Sequence, residues 1–447
     1  MAPAYGRPEN RARGSVPWSH HDSEGPHPVK MDNSPARGTR DLLPATVAVR
    51  DHVLARITEV YHRYGYQRVE TPALEGIDRL TGGQGGENEK MIYRVLRRGL
   101  DETVAADTAL ADLVDLGLRY DLTVPLTRFY GANQASLPQP FRSFQFGPVW
   151  RAERPQKGRY RQFNQCDIDM LGEESVLAEV ELIEATTEAL AAAGLSGATV
   201  RVSDRRFLSA LAASVGLPEE AWTGLFITLD KLDKIGWDGV RAELPSRGLD
   251  DAAIDRLQES ITGLQGGDPA TLDKRLLEAV PGLPDEVVAD LAETATALAA
   301  VAGLAWEFDP TLVRGMGYYT GQIFEITHPA STSAIAGGGR YDKLIGRSLG
   351  RDVPACGFSI GFERIVDLVD GAKTTDAVAV LYEADVPLPV VTATARELRQ
   401  GGRTASPVRR RGKFGAQLGK LEEWGFTAVV HVKDAAAAPE ERPLGGR

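Results

Sequence analysis

Cysteine is almost missing from this chain: Cys166 and Cys356 are the only two in 447 residues. Two thiols cannot staple a protein of this length, so the expected setting is a reducing compartment, the cytoplasm, with both thiols packed rather than catalytic. No run of 18 apolar residues occurs, so no membrane-spanning segment and no membrane partner are expected. The opening stretch, MAPAYGRPENRARGSVPW, lacks the apolar core of a signal peptide. Positive charge is also in deficit, and a formal net charge of −11 argues against a nonspecific coat for nucleic acid. What is present is a hydrophobic content of 43%, enough for real cores, in a chain long enough for two or three domains.

Taken in order, residues 1–35 are rich in Pro, Gly, Arg, Ser and His without periodicity and read as a disordered extension. Gly38-Thr39-Arg40-Asp41 then leads into a helix ending near Tyr64 and Gly65. Residues 66–74, YQRVETPAL, read as a strand that Pro72 confines to an edge or interface. Residues 118–125, LRYDLTVP, read as extended, with Asp121 and Thr123 on one face, where a carboxylate beside a hydroxyl can hold an ammonium group. An ordinary strand-end turn is the plain alternative there. Residues 216–303 are helical throughout, an insertion between strands of one sheet. Lys231 and Lys234 within it carry no catalytic signature. Residues 376–434 read as strand, helix, basic stretch, helix and strand, a small α/β domain, and 435–447 as a disordered tail.

Two runs, FRSFQFGPVWRAE and RYRQFNQCDIDML, joined by RPQKG, read as a two-stranded ribbon. Parity puts Phe144, Phe146, Pro148, Trp150, Cys166, Ile168 and Met170 on one side. Gln145, Gly147, Val149, Arg151, Phe163, Gln165, Asp167 and Asp169 fall on the other. A solvated face alternates in the same way, but Phe, Gln and Asp opposite a glycine suit a pocket floor better. Further on, Leu312 to His328, LVRGMGYYTGQIFEITH, sets Arg314, Tyr318 and Tyr319 between glycines ahead of an apolar strand, Ile323 to Ile326. The planar fork of arginine suits a carboxylate or phosphate; a tight turn with packing tyrosines is the alternative. The glycines of AGGGRYDKLIG, ahead of Arg340, are a candidate phosphate cradle. Arg364, in the first turn of a helix after PACGFSI, is placed for a phosphate or the face of a base rather than a structural ion pair. Basic residues cluster at Arg151, Arg154, Lys157, Arg159 and Arg161, and again from Arg396 to Lys420.

Together these stretches resemble the histidyl-tRNA synthetases, of the class II aminoacyl-tRNA synthetases, from about Arg37 to Val432. YGYQRVETPALE looks like the first class II motif, the ribbon like the second, GFSIGFERI like the third, and LRYDLTVP and LVRGMGYYTGQIFE like two stretches of the histidyl branch. The resemblance implies an α+β fold: an antiparallel sheet flanked by helices (36–215 and 304–370), the helical insertion, and an anticodon-binding-type C-terminal domain. It implies ATP and Mg2+ as cofactors, L-histidine and tRNA(His) as partners, and a homodimer. Histidine is activated to its adenylate and passed to the 3′ end of the tRNA. In that scheme Arg151 and Arg314 are catalytic, at the α-phosphate. Asp121, Thr123 and Gln165 hold the ammonium; Asp169 and Tyr319 face the imidazole with Tyr318 beside them. Glu153, Arg159, Arg161, Phe163 and Arg364 bind ATP, the last two sandwiching adenine. Arg154 and Gln156 approach the acceptor end, and no protein metal site is assigned. Gly317 stands where the family has Asp, and the C-terminal domain lacks a clear final strand. Two rivals share the resemblance: a non-catalytic histidine-binding regulatory subunit, and a histidine-activating enzyme with another acceptor.

Overall fold

Alternation of apolar and polar residues over 141–150 and 162–171 yields a ribbon with one apolar and one polar face, and it forms the second and third strands of the main sheet. The computed structural model describes residues 32–82, 88–100, 105, 107–154, 159–313, 318–369, 376–436 and 438–445. Every element below lies in the unit Arg37–Arg447. The strands run β1 (Gln67–Arg68), β2 (Leu74–Gly76), β3 (Arg94–Leu96), β4 (Val114–Leu118), β5 (Phe141–Trp150), β6 (Gln162–Leu171), β7 (Thr199–Asp204) and β8 (Ala305–Phe308). They continue with β9 (Gln322–Thr327), β10 (Ala336–Arg340), β11 (Ala355–Ile360), β12 (Ala377–Tyr382), β13 (Thr404–Arg409), β14 (Ala428–Val432) and β15 (Glu440–Pro443).

The main sheet has eight strands in the order β1-β5-β6-β11-β10-β9-β7-β8. Its six inner strands are antiparallel; β1 and β8 join their neighbours in parallel at the two edges. One face is covered by two amphipathic helices, Pro44–Arg63 and Leu177–Ala192. Val53, Ile57 and Tyr61 from the first and Leu182, Ile183 and Ala189 from the second meet Phe144, Cys166, Ile168, Met170, Phe324 and Phe358 in one core. Both thiols lie in that core, and burial pushes each far above its ordinary titration range, so neither is a nucleophile. The opposite face of β5, β6 and β11 carries the polar half of the alternation.

Between β7 and β8 the chain is helical, from Arg205–Ser214 to Asp285–Ala299, with a core of its own around Leu211, Leu225, Leu257, Ile261 and Leu291. Lys231 pairs with Glu243 at 2.8 Å on its surface. The C-terminal sheet has the order β13-β12-β14-β15. Two of its strands were not expected. The basic stretch contains β13, whose Pro407 has no N–H to offer and so tolerates an edge position. The tail read as disordered supplies β15, which completes the other edge antiparallel to β14.

Three further expectations change. Residues 66–74 give only β1 and the start of β2, with Pro72 between them. Residues 118–125 are not extended throughout: β4 ends at Leu118 and a helix, Thr123–Asn133, begins at Thr123. Asp121 Oδ1 accepts from Val124 N at 3.0 Å, and Pro125 sits in the first turn, where no N–H is needed. The glycines of 337–339 form no loop, and only Gly337 lines the cleft described below. They are the middle of β10, pressed between β9 and β11, and a Cβ on Gly338 would lie 2.0 Å from the Gly357 carbonyl oxygen. Arg340 turns inward instead, donating from Nε and Nη2 to Glu179 at 2.6 and 2.7 Å. Residues 1–31 lie outside the described part of the chain.

Candidate active site

The sheet's register builds the floor of a cleft. Directly opposed residues on neighbouring strands share a face. Ser143, Asp169 and Gly357 form one row across β5, β6 and β11; Gln145, Asp167 and Ser359 form the next; Gly147 and Gln165 follow. The parity of the two runs therefore holds. Asp121 and Thr123 enter over this floor from the start of the helix Thr123–Asn133, and Tyr318, Tyr319 and Tyr341 close one end of the same cleft.

The buried end is acidic. Asp121, Asp167 and Asp169 are 1–3% exposed. Tyr341, itself buried, donates its hydroxyl to Asp169 Oδ1 at 2.6 Å and rests edge-on against Tyr318. Asp169 lies beside Gly357, where a Cβ would come within 2.1 Å of Oδ1. Burial raises the Asp169 carboxyl to about 7; the Tyr341 bond opposes this and the charge of Asp121 adds to it. Asp167 is raised too, by burial and then by repulsion from Asp169. Asp121 is raised by burial, against the Val124 N–H bond and the nearby Arg151 charge. Among the described residues, Asp121 Oδ2, Gln165 Oε1, Asp167 Oδ1 and Asp169 Oδ2 are buried without a donor. Four orphan acceptors in one niche, each costing about 1–3 kcal/mol unpaired, suit a ligand rich in N–H.

The open end is cationic and aromatic. Arg151, Glu153, Arg159, Phe163 and Arg364 line it, with Tyr160, Asn164 and Glu363. Arg151 lies over the Phe163 ring, 5.1 Å from its centroid, and its Nε donates to the Tyr120 carbonyl at 2.9 Å. Glu153 and Arg159 pair at 3.4 Å. Arg364 Nη1 donates to the Ala334 carbonyl. Arg161 is not in the lining: its Nε donates to the Glu153 carbonyl and its backbone N–H to the Gly38 carbonyl, against which its side chain packs. Arg154 is exposed and also outside the lining. Arg314, Gly317 and Gln156 lie outside the described residues.

Several cleft residues escaped the reading of the sequence. Glu363 takes Arg50 at 2.5 and 2.8 Å, Arg40 at 2.6 Å and the Asn164 N–H at 3.1 Å. Burial would raise its carboxyl, but these donors outweigh burial and hold it below the usual range. Arg40 also stacks on Tyr160, 4.0 Å from its centroid. Nothing local announces these contacts, and the same is true of Tyr341. Asp167 was visible by parity, though no role pointed to it.

A buried carboxylate niche opening into a cleft lined by arginines and an aromatic ring suits a small amine beside a phosphate-bearing group. The model of the family described as histidyl-tRNA synthetase matches residues 38–365. A histidine–tRNA ligase of Leifsonia xyli subsp. xyli is 47% identical over 427 residues, 92% of this chain and 98% of that one. One of Aeropyrum pernix is 38% identical over 380 residues, 82% and 83% of the two chains. Among solved structures, a histidyl-tRNA synthetase from Nostoc sp. aligns with a TM-score of 0.76 at 24% identity, covering 93% and 95%, a likeness of fold. A Bacillus halodurans structure described as an ATP phosphoribosyltransferase regulatory subunit/histidyl-tRNA synthetase aligns at 0.75 with 22% identity, covering 91% and 100%. By the family match and by 47% identity over nearly the whole length of a ligase, the chain belongs to the histidyl-tRNA synthetase family.

Proposed function

We propose that this protein is a histidine–tRNA ligase that uses ATP to form histidyl-adenylate and passes the histidyl group to the 3′ end of tRNA(His). The observation that carries the reading is the set of four buried acceptors without donors. Histidine brings three ammonium N–H groups and a ring N–H. In this reading Asp121, Thr123 and Gln165 take the ammonium. Asp169 and the Tyr319 hydroxyl take the two ring nitrogens, with Tyr318 packed against Tyr319 at 4.8 Å between centroids.

Adenylate formation is a displacement at the α-phosphate, which needs alignment and neutralised charge more than covalent help. Arg151 meets that phosphate, and the family resemblance adds Arg314 there. Phe163 and Arg364 take the two faces of adenine. Mg2+ would neutralise phosphate charge there, and Glu153, at that end of the cleft, would supply a carboxylate to hold it beside the substrate's own oxygens. Cytoplasmic location, a homodimer, a class II mechanism, approach of the acceptor end to Arg154 and Gln156, and anticodon reading by the C-terminal domain complete the reading.

Histidine-dependent exchange of pyrophosphate into ATP, followed by charging of purified tRNA, tests it. Both activities are expected. Histidine binding without exchange would favour the regulatory-subunit rival; exchange without charging would favour a different acceptor.

The niche also predicts a pH limb. Asp169 must be ionised to accept from the ring, and its carboxyl titrates at about 7. kcat/KM for histidine should therefore fall as pH drops through about 7. Tyr341→Phe removes a bond that lowers this pKa, so the limb should move to higher pH. An unmoved limb in the variant would separate Tyr341 from Asp169.

A further inference from the structure

Asp167 has no part in the scheme above, yet its surroundings are built for one. It is 3% exposed, and its Oδ1 has no donor among the described residues. Its cross-strand partner Ser359 serves two neighbours at once. The Gln165 amide donates to Ser359 Oγ at 3.2 Å, which turns Gln165 Oε1 away from Ser359. The Ser359 hydroxyl also supports the Asp167 carboxylate. One hydroxyl thus steadies two side chains, and the acceptor left over on each is buried and unpartnered. Nearby cations do not consume Asp167. Arg119 spends its guanidinium on the Pro148 and Thr71 carbonyls and the Thr71 hydroxyl, and Arg151 acts on Asp167 only through space.

We propose that Asp167 is a substrate-binding residue whose Oδ1 accepts from the α-ammonium of histidine beside Asp121 and Gln165, with Ser359 as the residue that positions both Asp167 and Gln165. This rests on the histidine-activating reading. It gives the ammonium a second carboxylate, so the niche selects for an amine as well as for an imidazole. A carboxylate buried merely as filler would gain nothing from the ligand's charge.

Calorimetric binding to the full chain separates the two. The ligands are histidine and imidazolepropionic acid, which keeps the ring and carboxylate but lacks the amine. Asp167→Asn should weaken histidine roughly 10- to 100-fold, the range of a charged hydrogen bond, and leave imidazolepropionic acid within about twofold. Ser359→Ala, which leaves the carboxylate in place, should show the same selectivity with a smaller loss. KM for ATP should stay within about twofold in both. Equal losses for the two ligands, or histidine bound as tightly by folded Asp167→Asn as by the wild type, overturn the proposal while the ligase reading stands. A wild-type protein that binds neither ligand overturns both.

Discussion

Replacing Arg151 by alanine should cut histidine-dependent pyrophosphate exchange by about two to three orders of magnitude, since one donor to a developing oxyanion is worth roughly 3–4 kcal/mol. The Arg151 Nε is tied to the Tyr120 carbonyl and its guanidinium carbon lies 5.1 Å from the Phe163 ring centroid, which restricts where the terminal nitrogens can point. It is also a positive charge acting on both Asp121 and Asp167. Loss of transition-state contact should appear mainly in kcat, and loss of the charge as a smaller rise in KM for histidine. Lysine should rescue little, because a point charge cannot hold the Tyr120 carbonyl and a phosphate at once. Single-turnover adenylate formation measures the effect directly, and a variant within fivefold of wild type would remove Arg151 from the reacting phosphate.

The second large effect is expected from a single methyl group. Gly357→Ala puts a Cβ 2.1 Å from Asp169 Oδ1 and 3.1 Å from the Tyr341 ring, and neither neighbour can retreat into solvent. Either Asp169 rotates off Tyr341 or β11 shifts against β6. Overpacking of this kind costs about 1–3 kcal/mol of stability, and the displaced carboxylate should raise KM for histidine by roughly 100-fold, about the worth of a charged hydrogen bond. ATP binding, at the other end of the cleft, should be nearly unchanged. Thermal melting with separate titrations of the two substrates decides it. Normal histidine binding in a folded Gly357→Ala protein would mean that Asp169 does not read the ligand.

How much of this could be read without coordinates follows from where the information lies. Which residues of 141–150 and 162–171 share a face is a period-two property of the chain itself, so Gln165, Asp167 and Asp169 could be set on one floor by counting. Asp121 and Thr123 do share the cleft, but in a different conformation: the segment read as extended starts a helix at Thr123, whose first turn accommodates Pro125. Other errors arise from partners distant in sequence. Gly338 answers to the carbonyl of Gly357 and the ring of Phe324, and Gly339 to the carbonyl of Gln322. Arg161, nominated for ATP, lies outside the cleft lining, its Nε donating to the Glu153 carbonyl and its side chain packed against Gly38. Arg50 and Arg40 reach Glu363 across 313 and 323 positions, a distance no local pattern spans.

That last cluster has a thermodynamic meaning. Because Glu363 locks the segment before the first helix to the turn bearing Arg364 and, through Asn164, to the strand bearing Phe163, this rim is already rigid when nucleotide arrives. The conformational entropy of those side chains is surrendered once, during folding, instead of at every turnover, so more of the intrinsic interaction energy with ATP remains available to strain and align its phosphates.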